Sequence, residues 1–418
     1  MRPKAARALC AAAFAVGLAW RCVHVLSLHP PGAYVYSDMK WYVDDAVRYS
    51  SPGHEESAND TLHPPGNAYL LGAFYRLDRS WSLAAAAELV LSALAPLAIA
   101  AIGLELGGSA VAGAALCLAS LYPPFVDYAG YFLAENPFLV CVSAATALLL
   151  AALRVRSERR VFALSWGAGL LWGAGAALKA NALASALPTA LALLATPRRS
   201  ARLAAGGLAA GLLAFLLPLS LRCGALSGRP CLVSTNWAYN AVLGHCGETR
   251  FVLWRNVFGE DRWKGWRAPA GTERGYTQDL LLPFDSYDTR ANAAWAWAWT
   301  RAHPGEALRS SVRHVWDLLA SRPFPSAEDP RWAAFARFGQ WFFWIFVLAP
   351  AALGLAQRRP GLAEALLLLP LVGLAAAAFL TIGESRYRVP YDGLLIVLAA
   401  RTYLEALGPM VPRGGPRS

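Results

Sequence analysis

The sequence has no GxGxxG turn, no GxxxxGK[ST] phosphate loop and no CxxC pair anywhere in its 418 residues. It therefore lacks the marks of a nucleotide-binding fold and of a paired-cysteine zinc site. Charge is scarce as well. Charged residues make up 16% against 56% hydrophobic, and only four are lysine against 34 arginine. So little charge does not suit an ordinary soluble domain, and several apolar runs reach the length that spans a bilayer. The net charge of +11 does not point to nucleic acid, because the basic residues fall in short clusters beside apolar runs. There is no internal repeat and no low-complexity tract beyond richness in alanine.

What is present reads as a polytopic all-α membrane protein. Apolar spans are expected at 8–28, 82–104, 109–126, 136–153, 161–178, 180–196, 203–221, 339–356, 361–382 and 391–406, about ten in all. The basic flank MRPKAAR and the length of the first run favour a retained anchor over a cleaved signal peptide. With the N-terminus inside, RVRSERR (154–160), PRRSAR (197–202), QRRP (357–360) and the Arg413/Arg417 tail all fall on the cytoplasmic side, as positive-inside sorting requires. The same count puts three short turns outside, near Glu135, Lys179 and Glu384, together with a first loop (29–81) and a long segment (222–338). Three units follow: 1–221 with the first loop, an exterior loop domain at 222–338, and the C-terminal helices 339–418.

Within the first loop, YSDMKWYVDDAVRY and HPPGNAYLLGAFYRL each have the pattern of a short amphipathic helix, separated by the polar GHEESAND. The long segment carries Trp237, Trp254, Trp263, Trp266, Trp295, Trp297, Trp299 and Trp316, a residue type that favours the headgroup zone. Residues 289–320 read as two helices joined at His303-Pro304. Cys10, Cys22, Cys117 and Cys141 lie in apolar runs as packing groups. Cys223, Cys231 and Cys246 lie close together outside, so one disulfide is expected, with its pairing open and one thiol left over.

The candidate chemistry gathers on the exterior side. Asp38 follows the first span among Tyr34, Tyr36, Trp41 and Tyr42. It reads either as a helix N-cap or as a general base toward an acceptor hydroxyl, the latter favoured if desolvation raises its pKa. Asp44 and Asp45, on the solvated face of the same helix, are its rivals. Glu135 opens the fourth span, where an acidic residue complements the helix dipole or, alternatively, faces the same cavity as Asp38. YPP at 122–124 breaks the preceding helix near that cavity, with Asp127 just beyond. Lys179 either snorkels or presents a cation, and His63 either caps its loop or faces substrate. Arg386 and Arg388, flanking Tyr387, read as interface anchors or as phosphate ligands through their guanidinium forks. An exterior site has no cytosolic nucleotide pool, so a lipid-linked sugar is the expected donor, its phosphate stabilised by fixed cations.

In this order and placement, SDM around Asp38, HPPGNAYLL (63–71), SLYPPFVDYAGYFLAENPF (120–138), LKAN around Lys179, AWTRAHPGEAL and GESRYRVPY (383–391) resemble the GT-C membrane glycosyltransferases, in particular protein mannosyltransferases and lipid A aminoarabinose transferases. The resemblance covers most of the chain and implies a GT-C-like arrangement. It carries the role of catalytic base to Asp38, the second acidic position to Glu135, and donor-phosphate binding to Lys179, Arg386 and Arg388, with His63 and Tyr387 on the substrate side. Protein mannosyltransferases carry an adjacent Asp-Glu pair where this chain has Asp38-Met39, so a protein acceptor does not follow. The WWD motif of oligosaccharyltransferases is absent.

The expected function is inverting transfer of a sugar from a polyprenyl-phosphate carrier to an acceptor hydroxyl of a lipid, glycan or protein, on the outer face of the inner membrane. No metal ligand set or resident cofactor is assigned, and need for a divalent metal is left open. The alternative is a polytopic transporter or lipid flippase, which would place ionisable residues near the midplane rather than at helix ends.

Overall fold

The structure, a computed structural model, describes residues 3–33, 35, 38–246, 287–320 and 332–408. Tyr34, Tyr36, Ser37, Trp254, Trp263, Trp266, Arg413 and Arg417 lie outside these. Among the described residues there is no strand.

Among the described residues seven helices are long and apolar enough to cross a membrane, which makes this a multi-pass membrane protein. Helix α1 (Pro3–Val23) runs on through a π-turn, His24–Leu28. The first loop then folds into α2 (Asp38–Ser50) and α3 (Gly66–Leu77), the two amphipathic helices expected from the pattern. Helix α4 (Ser82–Ser120) is interrupted at Gly107 and at Gly108, whose φ of +76° suits glycine. After the Tyr122-Pro123-Pro124 break come α5 (Pro123–Ala129), α6 (Glu135–Arg154), α7 (Glu158–Leu178), α8 (Ala182–Ala195), α9 (Arg199–Ser227) and α10 (Asn236–His245). The expected pair joined at His303-Pro304 is α11 (Thr289–Ala302) and α12 (Pro304–Ala320). Helix α13 (Ala333–Phe342) passes through a π-turn into α14 (Ala349–Gln357), followed by α15 (Leu362–Leu380), the single turn α16 (Ser385–Arg388) and α17 (Asp392–Ala406).

The expected count of ten spans is not reached by length. Segment 82–104 and most of 109–126 lie in the two arms of α4 on either side of the Gly107–Gly108 break, where a Cβ on Gly103 would lie 3.0 Å from the Ala112 Cα. Helices α8 and α17 have 14 and 15 residues, only about 21–23 Å of helix. Sequence hydropathy reads such segments as spans because burial in protein and burial in lipid select the same side chains. Helix α17 is the clear case, with every residue from Asp392 to Ala400 buried.

Lipid tails are as apolar as leucine, so close backbone approach rather than hydrophobic exclusion holds such helices together. Helices α7 and α9 show it. A Cβ on Gly169 would lie 2.2 Å from the Leu208 carbonyl oxygen, and one on Gly211 2.1 Å from that of Trp166. Arg21, buried in α1, fixes the end of α4 by donating to the Ser120 carbonyl at 2.6 Å, to that of Ala119 at 3.3 Å and to Ser92 Oγ at 2.9 Å. The Ser120 carbonyl lies past the last turn of its helix, since the chain breaks at the prolines that follow, while that of Ala119 also accepts from the Tyr122 amide at 3.4 Å.

The disulfide joins Cys223 to Cys231, leaving Cys246 free and buried. The first loop is bound to the bundle by an ion pair. Arg222 of α9 grips Glu56 through Nε and Nη2 at 2.8–3.2 Å, and within the loop itself Arg48 bridges Asp45 and Asp60.

Candidate active site

The turns that the sequence scatters over 350 residues meet at one end of the bundle. Met39, Tyr42, Ala46 and Tyr49 form the buried face of α2, which packs on α3 where Gly72 comes within van der Waals reach of the Ala46 backbone. Asp38, in the first turn of α2, is thereby held at the rim of the bundle. The HPPG turn presses Gly66 against the last turn of α7, and a Cβ there would lie 2.6 Å from the Ala177 carbonyl oxygen. His63 and Lys179 are brought together by this contact. The start of α6 is fixed by Asn136, whose Nδ2 donates to Glu88 Oε2 at 2.7 Å and to the Glu88 carbonyl at 2.8 Å. That contact aims the neighbouring Glu135.

The charged groups pair across these elements. Asp38 Oδ2 lies 2.7 Å from Arg386 Nη1, Glu384 Oε2 lies 2.9 Å from Arg386 Nε, and Glu135 Oε1 lies 2.7 Å from Lys179 Nζ. The Tyr387 ring is shared, with Lys179 Nζ at 4.8 Å and the Arg386 guanidinium at 5.0 Å from its centroid. His63 stacks near Trp41, ring centroids 5.5 Å apart. Asp38, His63, Lys179, Arg386 and Tyr387 line one cavity of about 890 Å³, with Glu135 reaching it through Lys179. Its other walls are apolar, from Leu374, Ala377 and Leu380 of α15 and Leu183 of α8, or polar, from Asn236, Tyr239 and Asn240 of α10. Among the described residues no group of three or more histidine, cysteine or acidic side chains stands close enough to hold a metal ion.

Burial alone would raise the Asp38 pKa, but the charges of Arg386, His63 and Lys179 overcome it and hold the carboxyl below its ordinary range. The expectation that desolvation raises it is corrected by this partner. Burial lowers the His63 pKa, against the opposing pull of Asp38 and Asp45, so its ring is neutral at pH 7. Tyr42, between Asp38 and Glu135, has its pKa raised by burial and by both carboxylates and keeps its proton.

Two expected residues stand elsewhere. Arg388 does not line the cavity: its Nε and Nη2 meet Asp392 at 2.8 and 3.3 Å, Nη1 donates to the Leu318 carbonyl at 3.1 Å, and its guanidinium lies 3.3 Å from the Phe343 ring centre. Tyr122 completes this buried cluster by donating to Asp392 at 2.7 Å. Asp127 is buried in α5, away from the cavity lining. Asp44 is exposed and paired with Lys40, as its place on the solvated face implies, whereas Asp45 is buried and bound to Arg48. Glu384, Tyr42, Tyr239, Asn181 and Asn240 belong to the site without having been singled out. Glu384 had a signal, an acid two residues before Arg386. Tyr239 and Asn240 had none, because only the fold carries α10 across the cavity.

This arrangement has counterparts. Residues 62–221 match the family described as dolichyl-phosphate-mannose-protein mannosyltransferase. The archaeal oligosaccharyltransferase AglB from Archaeoglobus fulgidus, in complex with an inhibitory peptide and a dolichol-phosphate, superposes with a TM-score of 0.56 at 14% identity, over 95% of this chain and 50% of that one. The apo form of the Archaeoglobus fulgidus oligosaccharyltransferase gives 0.55 at 15% identity, over 96% and 51%. The chain has the GT-C fold. It spans about half the length of the oligosaccharyltransferases it matches, and no curated protein matches it. In the GT-C fold of this chain, the stretch matched by the mannosyltransferase family contains His63, Glu135 and Lys179, while Asp38 and Arg386 lie outside it.

Proposed function

We propose that this protein is a glycosyltransferase that moves a sugar from a polyprenyl-phosphate carrier to an acceptor hydroxyl, with inversion, on the non-cytoplasmic face of the inner membrane. The observation that carries the reading is one cavity lined both by two cations, Lys179 and Arg386, with a carboxylate, Asp38, and by aliphatic side chains of α8 and α15. That combination suits a ligand with a phosphate head and a hydrocarbon tail. The match over 62–221 supports the transferase class, and the four basic clusters support the outward orientation.

In the proposed reaction Asp38 accepts the proton of the acceptor hydroxyl while its oxygen attacks the anomeric carbon. The bond from that carbon to the phosphate oxygen breaks, and its electron pair leaves with the polyprenyl phosphate. Arg386 and Lys179 stabilise the negative charge that accumulates there. Glu135 holds Lys179 in place through their ion pair. One displacement at carbon inverts its configuration, and no covalent sugar–enzyme intermediate is required. Tyr387 and His63 form the walls beside the reacting atoms.

The test is sugar transfer by the purified protein from synthetic polyprenyl-phosphate sugars to a panel of lipid and glycan acceptors, with release of polyprenyl phosphate measured in parallel. Release of polyprenyl phosphate matched by a new glycoside of inverted configuration supports the reading. Intact donor carried across a proteoliposome membrane without transfer would favour a flippase instead.

A further inference from the structure

Arg386 is held on two edges by two carboxylates that differ in access. Its Nη1 edge meets Asp38 and its Nε edge meets Glu384. Asp38 keeps 34% of its side-chain surface open and Glu384 only 16%, so an anion entering the cavity reaches the guanidinium from the Asp38 side. A carboxylate already paired with a guanidinium is a poor proton acceptor, and the same guanidinium is the best anion ligand in the cavity. One group cannot satisfy the base and the donor phosphate fully at once.

We infer that the Asp38–Arg386 pair is a latch opened by the donor's phosphate, and that Glu384 is the positioning residue that retains Arg386 when Asp38 lets go. This rests on the donor reading above. Phosphate takes the Nη1 edge, Asp38 loses its partner, and the freed carboxylate stands beside a new anion. Both changes raise its affinity for a proton. The other groups around Asp38 do not reverse this. Glu135, Glu384 and Tyr387 add negative charge or none, Tyr42 and Tyr239 stay protonated, His63 is neutral, and Lys179 is shared between Glu135 and the phosphate. The base is therefore weak until the donor is in place, and the acceptor is activated only in its presence. Binding is ordered, donor before acceptor.

The experiment measures equilibrium binding of a short-chain polyprenyl monophosphate to the purified full-length protein. Asp38→Asn removes the carboxylate that competes for Arg386, so it should bind the phosphate about tenfold tighter than wild type while losing transfer. Asp38→Ser should show the same gain, which guards against an effect of one side chain. Asp45→Asn removes a nearby charge without freeing Arg386 and should stay within about twofold. Arg386→Ala should weaken binding by about tenfold or more. Glu384→Gln should raise the KM for donor with the KM for acceptor and the melting temperature unchanged, and Glu384→Asp should recover part of the loss. Unchanged affinity in both Asp38 variants, or an equal gain in Asp45→Asn, overturns the latch while leaving the donor reading intact. A wild type that binds no polyprenyl phosphate removes the donor reading, and the latch with it.

Discussion

Gly383 rests on the backbone of His314 so closely that a Cβ on Gly383 would lie 1.9 Å from the His314 carbonyl oxygen. Gly244 of α10 packs on the same region, where a Cβ would lie 1.8 Å from the Thr381 carbonyl oxygen and 2.9 Å from the His314 ring. The turn that carries Glu384 and Arg386 is thus packed against the backbones of α12 and α10, and its position depends on the absence of two side chains. Gly383→Ala should shift the turn and cost transfer at least tenfold, since displacing a catalytic group by an ångström has effects of that order or greater. Activity of the purified variant at matched detergent stability checks this, and wild-type rates would mean the turn is not the reference for Arg386.

Asp38→Asn keeps size and shape and removes the basic lone pair. Turnover should fall by roughly 10²- to 10⁴-fold with the protein still inserted and folded. Asp44→Asn should cost little, because Asp44 is solvent-facing and pairs with the exposed Lys40. The reverse outcome, an active Asp38→Asn beside an inactive Asp44→Asn, would move the base along the helix.

Arg386 and Arg388 should separate cleanly. Arg386→Lys keeps the charge but loses the two-edged fork, so transfer should fall while the melting temperature holds. Arg388→Ala leaves Asp392 buried without its cation and should destabilise the fold by about 3–5 kcal/mol. Thermal unfolding of both variants in detergent distinguishes them. A stable Arg388→Ala protein with weakened donor binding would return Arg388 to the site.

The separation of these two arginines also marks what sequence could and could not give. Helix ends at 135, 178 and 304 follow from hydropathy and proline placement, which are local properties. So does the position of Asp38, Glu135, Lys179 and Arg386 at helix ends, since charge cannot sit elsewhere on an apolar helix without cost. Arg386 and Arg388 are two residues apart in the same basic turn, and the one local difference between them is an acid four residues beyond Arg388. Asp392, one helical turn beyond Arg388, claims one of them through a buried contact with Tyr122, 270 residues away. The pairing of Asp38 with Arg386 is likewise long-range, and it reverses the pKa direction expected from desolvation alone. The expected ten spans exceed the seven helices of spanning length among the described residues for a related reason. Helix α17 is apolar because protein surrounds it, and a sequence does not say which apolar surroundings a helix has.

The fold should lose stability as pH falls below about 6.5, and His63 should account for part of that loss. Burial lowers the His63 pKa below its ordinary 6.5, with the charges of Asp38 and Asp45 opposing the shift only in part. Between the folded and unfolded values, the unfolded chain takes up a proton that the folded one does not, so stability rises with pH across that window. Above pH 6.5 neither state binds the proton and the contribution of His63 is constant. Asp38 acts in the same direction at lower pH: its pKa is depressed below 3.8, so the stability it supplies is present above that value and is lost as pH falls through the folded one. Replacing His63 by Gln removes the first effect and leaves the second. Melting temperatures of wild type and His63→Gln should therefore run parallel from pH 7 to 8 and converge or cross between pH 6.5 and 5, where only the wild type pays for an uncharged histidine. A wild-type melting temperature that rises on acidification through this window would show that His63 gains its proton in the fold, and that Asp38 rather than burial sets its charge.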